Sequence, residues 1–356
     1  MPRPIAWARA NLFGSWWSTA ITLALCYLLI RFAMAFIGWA VVHAVWSVPH
    51  AADGRPETDI CRAAAASGAC WAVVAEKYRF ILFGFYPYGQ QWRPAVCIVL
   101  FIALYAVSAM RRFWRRGLAL FWIAVLVAIL LLMRGGAFGL APVPDDQWGG
   151  LPITLILATF GLACAFPLGV LVALGRRSKT MPAVRMLCVA YVELIRGVPL
   201  IALLFMASVM FPLFLPQGVG IDKLLRAEIA IILFAAAYLA EVVRAGLQAL
   251  PRGQHEAADA LGLSWWQKTR LVVLPQALRK VIPALVNTFI GFFKDTSLVL
   301  IIGIFDLMTT GRTAILEPAW QGFGNEIYLL LAAIYFAFCF AMSRYSRGLE
   351  RARAAS

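Results

Sequence analysis

Eight stretches of the chain are nearly free of charge. They run roughly over 18–42, 95–110, 117–133, 151–174, 188–212, 227–249, 283–304 and 326–343. An α-helix of about 20 apolar residues covers the hydrocarbon core of a bilayer. The pattern therefore predicts an all-α polytopic membrane protein with about eight transmembrane helices. No stretch shows the ten-residue alternation of a membrane β-barrel strand. The first run is too long for the apolar part of a cleavable signal and lacks a small-residue cleavage site, so it is expected to stay as a helix.

The polar segments between the runs orient the chain. An even number of spans puts both termini on one side. Most of the 32 Lys and Arg fall there: Arg3 and Arg9; Arg111, Arg112, Arg115 and Arg116; Arg176, Arg177, Lys179 and Arg185; Arg244, Arg252, Lys268, Arg270, Arg279 and Lys280; Arg344, Arg347, Arg351 and Arg353. Cytoplasmic loops carry such an excess, so both termini and the loop at 250–282 are expected inside. The net charge of +15 would suggest nucleic acid in a soluble domain. Here 63% of residues are hydrophobic and 14% charged, and the cations face an anionic leaflet instead. The expected surroundings are a lipid bilayer, with no nucleic acid partner.

A Gly/Pro-rich join at 135–146 divides the chain. Residues 1–147 form a three-helix membrane extension with an external loop at about 46–94. Residues 148–346 form a five-helix core, and 347–356 a basic tail. The external loop holds Cys61 and Cys70, for which a disulfide and two free thiols are both open. Cys26, Cys97, Cys164, Cys188 and Cys339 lie in spans and suit apolar packing.

The loop at 250–282 has its own grammar. Pro251 ends a span, and good helix formers follow from Gln254 to Leu263, with Glu256 in the first turn. Gly262 suits a helix C-terminus, and Ser264 can cap a second short helix that Leu274-Pro275 stops. A rigid helix–turn–helix on the inner surface results. On composition alone, an amphipathic interfacial helix that merely joins two spans is the favoured reading.

The pattern Glu256-Ala257-Ala258, three residues, Gly262, nine residues, Val272, one residue, Leu274-Pro275 resembles the EAA loop of permease subunits in bacterial ABC importers. Tyr238-x-x-Glu241-Val242-Val243-Arg244, Gly253-Gln254-x-Glu256, Leu274-Pro275-Gln276-Ala277, Lys294-Asp295-Thr296-Ser297 and Glu193-Leu194-Ile195-Arg196-Gly197-Val198-Pro199 are similar to polar amino acid ABC permeases. The match covers about 148–345. The extension, with Gly68-Ala69-Cys70-Trp71 and Gly84-Phe85-Tyr86-Pro87, most resembles the M-type subunit of general L-amino acid permeases. Ala245 departs from the family's usual Gly. The resemblance implies a MetI-like core, broad-specificity L-amino acid uptake and a bacterial inner (plasma) membrane location. Implied partners are an ABC ATPase dimer that carries ATP and Mg, a second permease subunit (a heterodimer, with a homodimer equally open) and a periplasmic amino acid binding protein. Gly253, Glu256, Ala257, Ala258, Gly262, Leu274 and Pro275 would then couple to the ATPase.

Charged residues within spans are costly and usually face a cavity or a partner. Glu241 and Arg244, spaced i, i+3, could pair; alternatively Glu241 meets a substrate ammonium, with Gln248 on the same face. Glu193 and Arg196 share that spacing, with Pro199 expected to kink the fifth span. Lys294, Asp295 and Thr296 mark a gate, a substrate contact or a subunit interface. No cofactor is expected on this chain: the dipeptide Gly-Lys is absent, so there is no P-loop, and His43, His50 and His255 form no metal set. The chain is expected to be no enzyme. The competing reading is a secondary transporter or channel driven by an ion gradient, which has no use for the EAA pattern.

Overall fold

The computed structural model describes residues 4–354 apart from 53, 115, 116, 217 and 219. Of the inner-side cations named above, Arg3, Arg115 and Arg116 lie outside the described residues. So do residues 355 and 356 of the expected tail.

The order of helices is α1 (Pro4–Leu12), α2 (Trp16–Ile37), α3 (Asp59–Ala64), α4 (Ala72–Phe83), α5 (Trp92–Ala109), α6 (Gly117–Arg134), α7 (Leu151–Gly175), α8 (Pro182–Arg196), α9 (Leu200–Phe205), α10 (Lys223–Gln248), α11 (Arg252–Ala260), α12 (Trp265–Gln267), α13 (Leu274–Asp295), α14 (Leu307–Ala314) and α15 (Gly324–Ala354). Among the described residues, 7 helices are long and apolar enough to cross a membrane, or 8 if a bent pair counts as one. Each overlaps one of the apolar runs.

Two spans differ from their expected form. The fifth was expected as one kinked helix over 188–212. Instead α8 and the segment Leu200–Phe214 meet at 101°. Proline disfavours helical backbone in the residue before it and has no N–H to donate, so Val198-Pro199 breaks the helix rather than bending it. The seventh was expected from 283, with the preceding short helix stopped at Leu274-Pro275. Instead an unbroken rod runs over Trp265–Ile302, 38 residues long. Pro275 is tolerated because Lys268–Val273 is a π-turn, and the Leu274 N–H reaches back to the Thr269 carbonyl. The wider turn shifts the backbone pairing where a proline ring would otherwise clash.

The chain forms two compact units, 1–78 with 315–329 and 79–314 with 330–356. In the first, the expected external loop is not bare: it contains α3 and the start of α4. Cys61 and Cys70 are bonded, with their Cα atoms 5.5 Å apart. The buried Glu326 carboxylate accepts the Cys70 N–H at 2.8 Å. Lys77 pairs with Glu317, and the Trp71 indole donates to the Ala40 carbonyl at 2.7 Å.

In the second unit α10 packs along α7 and α13. Small residues permit this close approach: a Cβ on Gly169 would sit 3.0 Å from the Ala236 carbonyl oxygen, and one on Gly246 only 2.7 Å from that of Ala277. Small residues at such crossings are how membrane helices gain contact without a hydrophobic driving force. The buried Asp306 carboxylate caps α14, accepting from the Met308 and Thr309 amides at 3.2 and 3.0 Å.

Candidate functional site

The loop after α10 is built from terminators. α11 ends in a paired backbone motif: the Gly262 N–H bonds the Asp259 carbonyl at 2.9 Å and the Leu263 N–H bonds that of Ala258 at 3.2 Å. This motif needs a left-handed residue after the cap, and Gly262 has φ +69°. Two residues on, Ser264 and Gln267 exchange side-chain and backbone hydrogen bonds in a capping box at 3.4 and 2.9 Å. That starts the rod. The turn is therefore fixed at both ends by residues whose chemistry permits little else.

Side chains then tie α11 to the rod. Lys268 Nζ lies 2.6 Å from Asp259 Oδ1. The Gln276 amide donates to Gln254 Oε1 at 2.8 Å, and Lys280 Nζ donates to the Ala249 carbonyl at 2.6 Å. Ala258 is buried against this base, while Gly253, Glu256 and Ala257 face out. Leu274 and Pro275 lie within the rod, partly covered. His255 sits below the usual histidine range because burial disfavours its charge and Arg177 and Lys268 repel it, against the pull of Asp259.

A second feature lies where α7, α8 and α10 meet. Arg176, just past the end of α7, donates through Nη1 to Glu241 Oε2 at 2.7 Å and through Nη2 to Glu193 Oε1 at 3.0 Å. Arg244 forks onto both oxygens of Glu241, its Nε at 3.1 and 3.0 Å. Arg196 Nη1 stands 3.8 Å from Glu241 Oε2. Three arginines and two glutamates thus gather from three helices.

The structure brings Glu193, Arg196, Glu241 and Arg244 together, and it adds Arg176, which the sequence showed only as one of several loop cations. Its partners lie 17 and 65 positions away, and no local spacing reveals that. Gln248 is the last residue of α10 and is exposed, apart from the cluster. Lys294 and Asp295 end α13, where the helix tightens into the 3-10 turn Thr296–Ile302. The hydroxyls of Thr296 and Ser297 donate to the Phe293 and Lys294 carbonyls at 2.9 and 2.8 Å, which satisfies acceptors that the change of helix type would strand.

A third feature, a pair of carboxyls, carries no signal in the sequence. The Asp145 carboxyl, on the turn before α7, hydrogen-bonds that of Asp222, which pushes Asp145 up to about 6 with help from partial burial. Asp222 also caps α10, accepting the Leu225 N–H at 3.0 Å.

Residues 165–354 match the family described as "Binding-protein-dependent transport system inner membrane component". The chain is 47% identical over 355 residues to the inner membrane amino-acid ABC transporter permease protein YhdY of Escherichia coli (strain K12), covering 98% of this chain and 93% of that one. It is 38% identical, with the same shares covered, to the glutamate/glutamine/aspartate/asparagine transport system permease protein BztC of Rhodobacter capsulatus. Among solved structures it is similar to a chain from the crystal structure of an amino acid ABC transporter with histidines, at 33% identity and TM-score 0.50, over 57% of this chain and 91% of that one.

Proposed function

The chain belongs to the binding-protein-dependent transport system inner membrane components, and from that premise we propose that it is the permease subunit of an ATP-driven, broad-specificity L-amino acid importer. It is a multi-pass inner-membrane transport subunit and not itself an enzyme; ATP hydrolysis belongs to a separate chain. The family works with an ATPase and a binding protein. The names of the relatives support amino acids as cargo, and a neutral-to-acidic range is supported by BztC's name.

The observation that carries the coupling role is mechanical. A terminated, cross-tied knob, with Glu256 and Ala257 exposed, continues into a rod of 38 residues that enters the membrane. A push on α11 has little slack in which to dissipate: Gly262 is locked by the double carbonyl motif, Lys268 and Gln276 tie α11 to the rod, and Lys280 ties the end of α10 to it. Gly253, Glu256, Ala257, Ala258, Gly262, Leu274 and Pro275 form this element, and a P-loop ATPase dimer carrying ATP and Mg presses on it from the cytoplasm, where both termini also lie. A second, different permease completes the pathway as a heterodimer. Glu193, Arg196 and the rod's Lys294 and Asp295 face that pathway, with the buried Thr296 shaping the backbone behind them. A lone gradient-driven carrier is not favoured, because it has no use for a docking knob.

The test is ATP-driven uptake by the reconstituted complex. Glu256→Lys changes an exposed position and so should leave insertion intact while removing uptake. Wild-type uptake at the wild-type hydrolysis rate by this variant would defeat the coupling role.

A further inference from the structure

Resting on the permease reading above, we propose that Arg196 and Glu193 form a receiving site for the charged ends of a zwitterionic α-amino acid, with Arg176 as its positioning residue. The starting point is an imbalance. The cluster holds three guanidinium groups and two carboxylates, so it carries one positive charge in excess. The distances say which guanidinium is least engaged. Glu241 is saturated: Arg176 takes Oε2 at 2.7 Å and Arg244 forks across both oxygens.

Arg196 is the most loosely held of the three. At 3.8 Å from Glu241 Oε2 it is beyond hydrogen-bonding range. Its guanidinium instead rests 5.4 Å from the centre of the Tyr238 ring. An aromatic face holds a guanidinium in place without using its N–H donors, so the planar fork stays available. That fork matches a carboxylate in two parallel hydrogen bonds.

Glu193 supplies the opposite charge. It precedes Arg196 by three positions and so shares its helix face. Its Oε1 is held by Arg176 at 3.0 Å, yet its side chain is 62% exposed. Arg176, only 11% exposed, spans both glutamates; it fixes Glu193 and keeps Glu241 occupied. A cationic fork and an anionic acceptor within one helical turn, at the open end left by the break after Arg196, suit a molecule with carboxylate and ammonium on one carbon. A simple anion, whether a free carboxylate or a lipid phosphate, would engage Arg196 and leave Glu193 unused.

The experiment is equilibrium binding of radiolabelled L-glutamine to the assembled transporter in nanodiscs of zwitterionic lipid, with the binding protein omitted. Glutamine is chosen because only its α-groups are charged. The wild type should bind it, with glutaramate (no ammonium) and 4-aminobutanamide (no carboxylate) competing at least tenfold less well. Arg196→Gln and Glu193→Gln should each weaken binding at least tenfold, and Arg196→Lys should fall between, since it keeps charge but loses the fork. Arg176→Gln should let glutaramate compete nearly as well as glutamine, a change of selectivity that mere loss of packing does not produce. Assembly is checked by size exclusion for each variant. Unchanged binding and uptake in Arg196→Gln would overturn the site. So would displacement by phosphatidylglycerol alone, which would mark it as a headgroup site. ATP-driven uptake by the wild type alongside either result would leave the permease reading standing; absence of any ATP-driven uptake by the wild type would remove both.

Discussion

Arg176 Nη1 lies 2.7 Å from Glu241 Oε2, and the other arm of the same guanidinium reaches Glu193. One side chain therefore ties the end of α7 to two other helices. A charge-assisted hydrogen bond contributes about 1.5–3 kcal/mol, and less at Glu193, whose side chain is mostly exposed. Arg176→Met should lower the thermal midpoint of the detergent-solubilised complex, and Arg176→Lys should recover part of the loss by keeping one of the two contacts. An unchanged midpoint in the methionine variant would show that the cluster is not a structural tie.

Gly262 faces open space where a Cβ would stand, so its constraint is purely conformational. A non-glycine residue in the left-handed region costs roughly 1–2 kcal/mol. Gly262→Ala should be mildly impaired in uptake, Gly262→Val more so, and Gly262→Pro inactive, because proline cannot reach φ +69°. The series is read as initial uptake rate at equal membrane expression. A proline variant with full uptake would contradict the locked turn.

Ser264 starts the rod. Replacing a capping serine with alanine costs about 1 kcal/mol. Ser264→Ala should speed amide hydrogen exchange over residues 265–268, and Ser264→Asp should restore protection. Equal exchange in all three proteins would mean the cap does not hold the turn.

The Asp145 carboxyl supplies a pH dependence. A carboxyl raised from its free value of 3.8 to about 6 stabilises the fold while protonated. The contribution is full below about pH 4 and is lost as the pH rises through about 6. The turn at 145–147 should therefore become more labile to exchange between pH 5 and 7, and Asp145→Asn should flatten that change. The two acids titrate as a pair, so Asp222→Asn should shift the profile rather than simply copy it. A wild-type profile flat across this range would rule out the shared proton.

In the first unit the Cys61–Cys70 bond closes a short loop, separation 9. Loop-closure arguments give about 2–3 kcal/mol for a ring of this size. Cys61→Ala with Cys70→Ala should hasten proteolysis within 50–75, and Glu326→Ala should act in the same direction by leaving the buried Cys70 N–H without its acceptor. Resistance equal to wild type in both would show the staple to be dispensable.

Much of this architecture is legible in the order of residues. Runs of apolar side chains mark the spans because a bilayer admits little else, and Gly262 and Ser264 mark the turn because few residues satisfy those positions. What escapes has a common cause. Pro275 reads as a stop, and only the π-turn upstream of it, a property of backbone pairing, lets the helix continue. Pro199 reads as a kink, and the size of the break depends on where α8 packs. Arg176 and Asp145 read as loop charges, because their partners are distant in sequence and near only once the helices have packed. Local chemistry is written in neighbours; the cluster is written in the fold.

The rod over Trp265–Ile302 is roughly 55 Å long at about 1.5 Å per residue, although its π and 3-10 turns alter that slightly. A beam of this length that pivoted about its middle would swing its two ends in opposite senses. Under the proposed role, opening on one face of the membrane and closing on the other would then be one movement and not two events to be synchronised. Protection against leakage would then be geometric, with no separate timing device needed to keep the two mouths from being open together.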